Sequence, residues 1–281
     1  MKDTKNIVWL ASYPKSGNTW FRVFLSNLLN NTDNPVDINN LKKTPIASSR
    51  VMFDETSAFS SSDLTPSEIE LLRPKVYSEM SKSATDLLYI KIHDCYEKNE
   101  KGVSMFPSDA SNCVIYLVRN PLDVAVSFAH HSSCSIDRTI ANMNNKSFAF
   151  CNRYDKLHNQ IKQHLNDWSG HVESWLTQKD IPVHIMKYED MKLNTFETFK
   201  KAVTFIGIQT SDENINRALE FSRFERLQEQ EKQKGFHEKA PAADNFFRKG
   251  QINDYKNVLS KSQIEKIVTK HEFYMRYFNY L

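Results

Sequence analysis

The sequence predicts an α/β fold in which helices flank a central parallel sheet, within a single domain that covers residues 1–281. Short apolar runs with strand character alternate along the chain with stretches whose apolar residues recur at helical spacing. The run at residues 114–118 is continuously apolar, as in a strand that is covered on both faces. Parallel strands need crossover connections, and the intervening helices supply them.

The predicted strands cover residues 7–11, 87–90, 114–118 and 183–186. The predicted helices cover residues 19–30, a segment that begins at Pro121, residues 195–206 and residues 260–271. Proline suits the first helical turn because its missing N–H would have no partner there. Three long polar or charged segments connect these elements, and we expect them to form lids or binding loops: residues 31–83, 132–152 and 228–245.

Composition excludes several classes of protein. Hydrophobic residues make up 40% and charged residues 25% of the 281 residues, which is ordinary for a globular protein. A net charge of +3 fits a local anion site better than a nucleic-acid surface. Near the N-terminus the apolar run is too short for a signal peptide or a membrane span, so we expect a cytoplasmic protein without a membrane partner. The four cysteines form no CxxC pair and no Cys/His cluster, which predicts reduced thiols and no metal site.

A candidate anion cradle follows the first strand. Its sequence is Tyr13-Pro14-Lys15-Ser16-Gly17-Asn18-Thr19-Trp20. A helix N-terminus presents free backbone N–H groups to an anion, glycine allows close approach, and lysine adds a positive charge. The order differs from the nucleoside-triphosphate loop GxxxxGK(S/T), in which the lysine follows the last glycine. The residues alone also fit an ordinary strand-to-helix turn with a surface lysine.

Two further strand ends carry candidate site residues. Arg119 leaves the end of the third strand, where ligands bind in open α/β sheets, and Ser127 follows two helical turns later. The alternative for Arg119 is an ion pair with a carboxylate such as Asp123. Lys91 and His93 end the second strand and, two residues apart, point to the same side of it. Taken alone, a histidine such as His93 is more often structural or on the surface than catalytic.

The loop at residues 13–20 resembles the 5′-phosphosulfate loop of the sulfotransferases that use PAPS (3′-phosphoadenosine 5′-phosphosulfate), with Asn18 as in many bacterial members. The segment from Arg119 to Ser127, RNPxDxxxS, is similar to the family's 3′-phosphate motif. A third match, Arg248-Lys249-Gly250, begins the family pattern RKGxxGDWK, with Asn253 in place of glycine and Tyr255 in place of tryptophan. Asparagine tolerates left-handed backbone almost as glycine does, so we expect this turn to persist.

The resemblance implies a P-loop-like sulfotransferase fold and assigns roles to individual residues. It implies that PAPS is the donor and PAP the product. The residues implied to bind the donor are Lys15, Ser16, Gly17, Asn18, Thr19, Trp20, Arg119, Ser127, Tyr188, Ser222, Phe224, Leu227, Arg248, Lys249 and Gly250. It implies catalytic roles for His93, the general base, and for Lys15, Lys91 and Ser127. Asp94 follows the base, and a carboxylate facing the imidazole would raise the pKa of His93.

The function implied is transfer of a sulfuryl group from PAPS to an acceptor hydroxyl, without a metal, by in-line displacement. The three connecting segments would then build the acceptor site for a small molecule, a natural product or a glycan. Two alternatives stay open: a P-loop-like small-molecule kinase, and a non-catalytic nucleotide-binding protein on the same fold. Residues 256–265 have the spacing of the family's KxxxTVxxxE dimer motif, with Lys261 in place of valine, which leaves a homodimer open.

Overall fold

A computed structural model describes residues 5–41, 43–99, 101–153, 155–241 and 243–281. Its strands are β1 (Ile7–Ser12), β2 (Leu88–Ile92), β3 (Ser111–Val118), β4 (Ala149–Phe150), β5 (Gln163–His164) and β6 (Val183–Lys187). Its helices are α1 (Asn18–Asn30), α2 (Arg50–Ser57), α3 (Pro66–Ser83), α4 (Pro121–Ser132), α5 (Ile136–Met143), α6 (Trp168–Thr177), α7 (Tyr188–Leu193), α8 (Thr195–Ile206), α9 (Asp212–Phe221), α10 (Phe224–Lys234) and α11 (Lys261–Tyr277). Short 3₁₀ turns cover Ser61–Asp63 and Asp254–Asn257.

The predicted α/β class with a central parallel sheet is confirmed. The four predicted strands form one sheet in the order β2-β1-β3-β6. Strands β1 and β2 pair in parallel from Ile7 opposite Leu88 to Ala11 opposite Ile92. Every residue of β1 is buried, as is nearly all of β3, because helices cover both faces of the sheet. Strands β4 and β5 form a separate antiparallel pair.

The chain divides into two compact units. Unit 1 holds the described residues up to Tyr13 together with Thr44–Tyr116 and Lys146–Ile185. Unit 2 holds Pro14–Lys43, Leu117–Asn145 and Met186–Leu281. Each unit has its own core and its own candidate functional residues, so each is described by itself.

The segments predicted as lids or binding loops contain regular structure. Helices α2 and α3 lie within residues 31–83, α5 lies within 132–152, and α10 extends into 228–245. Side-chain caps at the helix starts explain part of the difference between the predicted loops and the observed helices. Thr65 and Glu68 form a reciprocal capping box at the start of α3, and Ser49 and Ser135 cap α2 and α5 with their hydroxyl oxygens. These helices are rich in polar residues, which is why the sequence pattern assigned them to connecting segments.

The two cores rest on aromatic side chains. In unit 1 the buried indole of Trp9 contacts the rings of Tyr77 and Phe106 edge-on, at centroid distances of 5.0 and 5.2 Å. In unit 2 an apolar cluster gathers residues from α1, α10 and the connecting segments: Val23, Ile38, Leu41, Leu227, Phe236 and Phe247. None of the helices that the structure describes combines the length and apolar character needed to cross a bilayer.

A buried ion pair joins helix α3 to the segment that follows β2. The guanidinium of Arg73 donates to both carboxylate oxygens of Asp94, at 2.8 and 2.9 Å, and both side chains are 1% exposed. Arg73 also donates to the hydroxyl of Tyr77 at 2.9 Å. Bidentate geometry and additional hydrogen bonds are the conditions under which a buried pair is tolerated.

Removing one partner of this pair should destabilise the protein strongly. Asp94→Asn leaves the charge of Arg73 buried without a counterion, and we expect a loss of about 3–5 kcal/mol in the free energy of unfolding. Urea-induced unfolding followed by circular dichroism measures the loss. The matched control is Glu79→Gln, which removes an exposed ion pair with Lys82 on the same helix and should leave the midpoint almost unchanged. Equal midpoints for the two variants would contradict the expectation.

Candidate active site

The residues singled out in the sequence fall into both units. Lys91 and His93 belong to unit 1, and the other predicted site residues belong to unit 2. In unit 2 they come from the start of α1, the end of β3, helices α4, α7 and α10, and the segment before α11.

The loop before α1 has a backbone suited to anions. Lys15 and Gly17 both have positive φ, at 67° and 102°, and flank buried Ser16. A left-handed residue within such a turn makes a concave surface of N–H groups. Helix α1 begins at Asn18, and its first backbone hydrogen bond is donated by Phe21 to the Gly17 carbonyl. The backbone N–H groups of residues 18–20 therefore lie in the first turn of α1, where a helix has no carbonyl of its own to accept them. The side chains of Asn18 and Thr19 in this turn are buried.

Gly17 cannot be replaced without moving a neighbour. A Cβ at this position would lie 2.9 Å from Cδ2 of Tyr188, which is closer than side-chain carbons approach one another. Its φ of 102° is also a conformation that other residues rarely adopt. The loop is therefore packed directly against the first residue of α7.

Hydrogen bonds from Arg119 link the loop before α1 to another segment of unit 2. The Arg119 guanidinium donates to the carbonyl of Lys15 at 3.2 Å and to the carbonyl of Gln251 at 2.8 Å. It also lies over the ring of Tyr188, 4.2 Å from the centroid. The alternative of an ion pair with Asp123 is not what the structure has, because both Asp123 oxygens accept backbone N–H groups of Asn253 and Tyr255.

The cradle contains buried donors without a partner. Among the described residues, Ser16 Oγ and Arg119 Nε are buried and have no hydrogen-bond partner. An unsatisfied buried polar group costs about 1–3 kcal/mol, so native proteins rarely retain one without a reason. Both groups can donate a proton, and Lys15 and Arg119 supply positive charge beside them. The residues present thus fit an anionic ligand.

One face of the cradle is aromatic. Trp20 and Tyr188 meet edge-on at a centroid distance of 6.2 Å, and the ammonium of Lys192 lies 5.4 Å from Trp20 and 5.8 Å from Phe224. Burial, with a further contribution from the charge of Arg119, lowers the pKa of Lys192. The sequence argument overlooked Lys192, although it lies in the same helical turn as Tyr188. A half-buried lysine held between aromatic rings is a candidate ligand contact.

The basic segment at residues 248–250 is held by neighbouring carboxylates. Asp254 accepts hydrogen bonds from Arg248 and Lys249, the latter at 2.8 Å, and Asp123 holds the following turn as described above. Asn253 adopts the left-handed conformation at φ 63°, so the turn expected to persist with asparagine in place of glycine is present. Gly250 lies under Phe224, where an added Cβ would meet the ring at 2.6 Å.

Several predicted residues have other contacts in this structure. The hydroxyl of Ser222 donates to carbonyls at the end of α9, with Ala218 at 2.8 Å. Leu227 belongs to the apolar cluster of unit 2. Ser127 lies half-buried on α4. Phe246, which the sequence argument did not single out, places its ring 3.7 Å below the ammonium of Lys15.

In unit 1 the environment of His93 fixes its tautomer. Nδ1 lies 2.8 Å from the backbone carbonyl of Ser12, which can only accept a hydrogen bond. The proton of the neutral ring is therefore on Nδ1, and the lone pair is on Nε2. Lys91 and His93 are both half-buried on either side of buried Ile92, as expected for residues two apart at a strand end.

Helix α6 positions the chain around His93. His171 and Trp175, four residues apart and hence on one helical face, donate to the carbonyls of His93 and Asp94 at 3.2 and 3.1 Å. Ser174 accepts from the backbone N–H of Tyr96 at 2.9 Å.

The sequence left the role of Asp94 open, and in the structure its carboxylate pairs with Arg73. The sequence pattern shows no Cys/His cluster, but in space Cys95, Glu97 and His164 bring their ligand atoms within 4.8 Å of one another. Sequence spacing could not reveal this group, because His164 comes from β5. The cysteines are free thiols, as predicted.

The buried His171 should make the protein sensitive to acid. Burial lowers the pKa of His171 to about 3 from 6.5, and its Nδ1 accepts the hydroxyl proton of Tyr116 at 2.9 Å. Below pH 6.5 the unfolded chain binds a proton that the folded protein excludes until about pH 3, so stability falls as pH falls through this window. Between about pH 7.5 and pH 5.5 the loss is roughly 1.4 kcal/mol.

Urea unfolding of the wild type and of His171→Gln at the two pH values measures this contribution. The fall in unfolding free energy should be smaller in the variant by about that 1.4 kcal/mol. His237→Gln, which changes an exposed histidine, should retain the full wild-type fall. An identical pH dependence in wild type and His171→Gln would show that this histidine is not the cause.

Known proteins resemble this chain along almost its whole length. Residues 5–274 match the family model described as Sulfotransferase domain. A flavonol 3-sulfotransferase of Flaveria bidentis is 27% identical over 93% of this chain and 79% of its own length, and sulfotransferase 1B1 of Canis lupus familiaris is 27% identical over 92% and 79%. Among solved structures, mouse sulfotransferase SULT7A1 complexed with PAP has a TM-score of 0.60 at 20% identity, covering 97% of this chain and 84% of that one. Retinol dehydratase with androsterone and PAP has a TM-score of 0.61 at 19% identity, covering 98% and 81%. The chain belongs to the sulfotransferase domain family.

Proposed function

We propose that this sulfotransferase uses PAPS as its donor and transfers the sulfuryl group to the hydroxyl of a small-molecule acceptor. The observation that carries the proposal is the cradle of unit 2, where buried Ser16 Oγ and Arg119 Nε have no partner among the described residues. Two structural neighbours are recorded with PAP, the product that PAPS leaves after transfer. When bound, PAPS supplies an activated sulfur joined to a phosphate leaving group.

The residues of the cradle bind the 5′ end of the donor in this proposal. The N–H groups at the start of α1 and the hydroxyls of Ser16 and Thr19 donate to its phosphosulfate oxygens, helped by Asn18. Lys15 neutralises the negative charge that develops on the bridging oxygen as the sulfur–oxygen bond breaks. Trp20, Tyr188 and Phe224 contact the adenine. The roles of Ser222 and Leu227 at the adenine stay predictions.

A second set of residues binds the 3′-phosphate in this proposal. Arg119 and Ser127 act from β3 and α4, and Arg248, Lys249 and Gly250 act from the turn that Asp123 and Asp254 hold. Arginine provides two parallel donors to a phosphate, and lysine adds a point charge. A 3′-phosphate separates PAPS from ATP, so this set is the source of donor selectivity.

His93 is the proposed general base. With its proton on Nδ1 and directed at Ser12, Nε2 presents a lone pair that accepts the proton of the acceptor hydroxyl. The hydroxyl oxygen forms a bond to sulfur while the bond from sulfur to the bridging oxygen breaks, and PAP carries away the electron pair. Lys91 supports the sulfuryl oxygens, and Ser127 restrains Lys15 before the acceptor arrives. Positioning and charge stabilisation dominate such transfers.

The acceptor is assigned only by class. One named relative is a flavonol 3-sulfotransferase and one solved neighbour is recorded with androsterone, which supports a small hydroxylated compound. The resemblance to bacterial members and the homodimer stay predictions. Ser260, in the proposed dimer spacing, serves here as the N-cap of α11 in a capping box with Gln263.

Replacing the base should stop turnover without preventing donor binding. For His93→Gln we expect a fall in turnover of at least about 100-fold, because general base catalysis contributes on that order. Transfer of labelled sulfate from PAPS to a panel of phenols, steroids and sugars measures turnover, and calorimetry measures PAP binding, which should change little.

The matched control is His158→Gln, a second half-buried histidine of unit 1 that should retain full activity. Loss of PAP binding in His93→Gln would contradict its assignment as the base, as would unchanged turnover. If wild-type protein binds PAP and transfers sulfate to no acceptor in a broad panel, the non-catalytic alternative is correct.

The second test concerns the 3′-phosphate. Wild-type protein should bind PAP more tightly than AMP, which lacks that phosphate, and more tightly than ATP. In Lys249→Gln, PAP affinity should fall by about 10-fold or more, as for loss of a charge-assisted hydrogen bond, while AMP affinity stays the same. Titration calorimetry gives all three dissociation constants.

Lys261→Gln is the control, since Lys261 is an exposed lysine beyond the end of the RKGxxGDWK pattern. Its PAP and AMP affinities should match those of the wild type. Tighter binding of ATP than of PAP would favour the kinase alternative. An equal loss of PAP and AMP affinity in Lys249→Gln would remove this lysine from the 3′-phosphate site.

A further inference from the structure

Three side chains of unit 1 converge away from the residues assigned to sulfuryl transfer. Cys95 and Glu97 lie two residues apart in the segment after β2, and His164 ends β5. The backbone N–H of Cys95 donates to the carbonyl of His164 at 2.8 Å, so the two segments are joined at this point. Thiol, carboxylate and imidazole are the three common types of protein ligand for transition metals.

The separations of the three ligand atoms approach those around a tetrahedral ion. Sγ of Cys95 lies 3.6 Å from Nδ1 of His164 and 3.9 Å from Oε2 of Glu97, and Nδ1 lies 2.7 Å from Oε2. Ligands at ordinary zinc distances would be separated by about 3.4–3.6 Å. The sulfur–nitrogen distance already agrees. The carboxylate would need to move by less than about 1 Å, within the reach of side-chain rotation.

The far side of the imidazole is arranged as in metal sites. Nε2 of His164 lies 3.0 Å from the backbone carbonyl of Lys146, which can only accept a hydrogen bond. Metal-binding histidines almost always donate their second ring N–H to such a carbonyl or a carboxylate, which fixes the other nitrogen as the ligand. Here that other nitrogen, Nδ1, faces Cys95 and Glu97 and donates to the Glu97 carboxylate at 2.7 Å, so a bound ion would displace that proton.

The group opens onto a cavity. Glu97 and His164 line a cavity of about 330 Å³, together with Glu70, Asn99, Met105 and Lys162. Cys95 is 2% exposed, whereas the side chains of Glu97 and His164 are 29% and 27% exposed. An ion held by the three ligands would therefore have a buried side at the thiol and an open position toward the cavity, which a water molecule or small ligand can fill.

We propose that Cys95, Glu97 and His164 bind a single zinc-like divalent ion in tetrahedral geometry, with the fourth position open to the cavity. A thiolate and an imidazole select zinc or cobalt over magnesium and calcium, which prefer oxygen ligands. The site joins the segment that follows His93 to β5. It is independent of the proposed donor and of the proposed base.

Cobalt titration tests the proposal directly. Protein freed of metal by chelation is titrated with Co²⁺ alone and followed by absorbance, since a thiolate bound to cobalt gives a near-ultraviolet charge-transfer band. We expect the band to saturate at one equivalent and to disappear when Zn²⁺ is added, because zinc binds such sites more tightly than cobalt. Absence of the band, or saturation at several equivalents, would overturn the proposal.

Variants assign the ligands. Cys95→Ala should lose the band, and His164→Gln and Glu97→Gln should weaken cobalt binding by at least about 10-fold, since even outer contacts of a metal ligand change affinity that much. The control is Cys113→Ala, which removes an equally buried thiol of the same unit and should retain the band. Circular dichroism checks folding, and if Cys95→Ala does not fold, the other two variants decide. A band that persists in folded Cys95→Ala, or unchanged affinity in both other variants, would refute the site.

Discussion

The buried ion pair between Arg73 and Asp94 is the constraint on which the functional part of unit 1 depends. Asp94 stands between the proposed base, His93, and the proposed metal ligand Cys95, so the pair fixes the chain on which both lie. One Asp94 oxygen also accepts the backbone N–H of His164 at 3.3 Å, and its carbonyl accepts the indole N–H of Trp175. Since a buried charge without its partner is strongly unfavourable, separating this segment from Arg73 would be costly.

Carboxylates of unit 2 likewise hold the turn that is proposed to bind the 3′-phosphate. Asp123, in the first turn of α4, accepts two backbone N–H groups from residues 253 and 255, and Asp254 pairs with Arg248 and Lys249. Gln228 and Glu231 of α10 bind the backbone of residues 246–248. The cations are thus placed by neutral and acidic neighbours before any ligand binds, which lowers the entropic cost of binding an anion.

How far the sequence predicts this molecule depends on how local each feature is. The four sheet strands, the helix after Lys15 and the left-handed turn at Asn253 follow from residues adjacent in the chain, and all are present. The helices inside the long polar segments were missed because those segments are rich in polar residues. Partners such as Arg73 for Asp94, or His164 for Cys95, are distant in sequence, and no residue pattern pairs them. Phe246 and Lys192 were missed for the same reason.

The way in which His93 is oriented bears on the chemistry proposed for it. A carboxylate beside the imidazole would add a negative charge next to the transferring sulfuryl group, which is itself anionic. Here the carboxylate of Asp94 is neutralised by Arg73, and the uncharged carbonyl of Ser12 holds the Nδ1 proton instead. A carbonyl fixes the tautomer without adding charge. Transfer of a sulfuryl group, like that of a phosphoryl group, depends on positioning and on stabilising charge at the leaving group. A base whose tautomer is set by an uncharged carbonyl fits the general-base role proposed for His93.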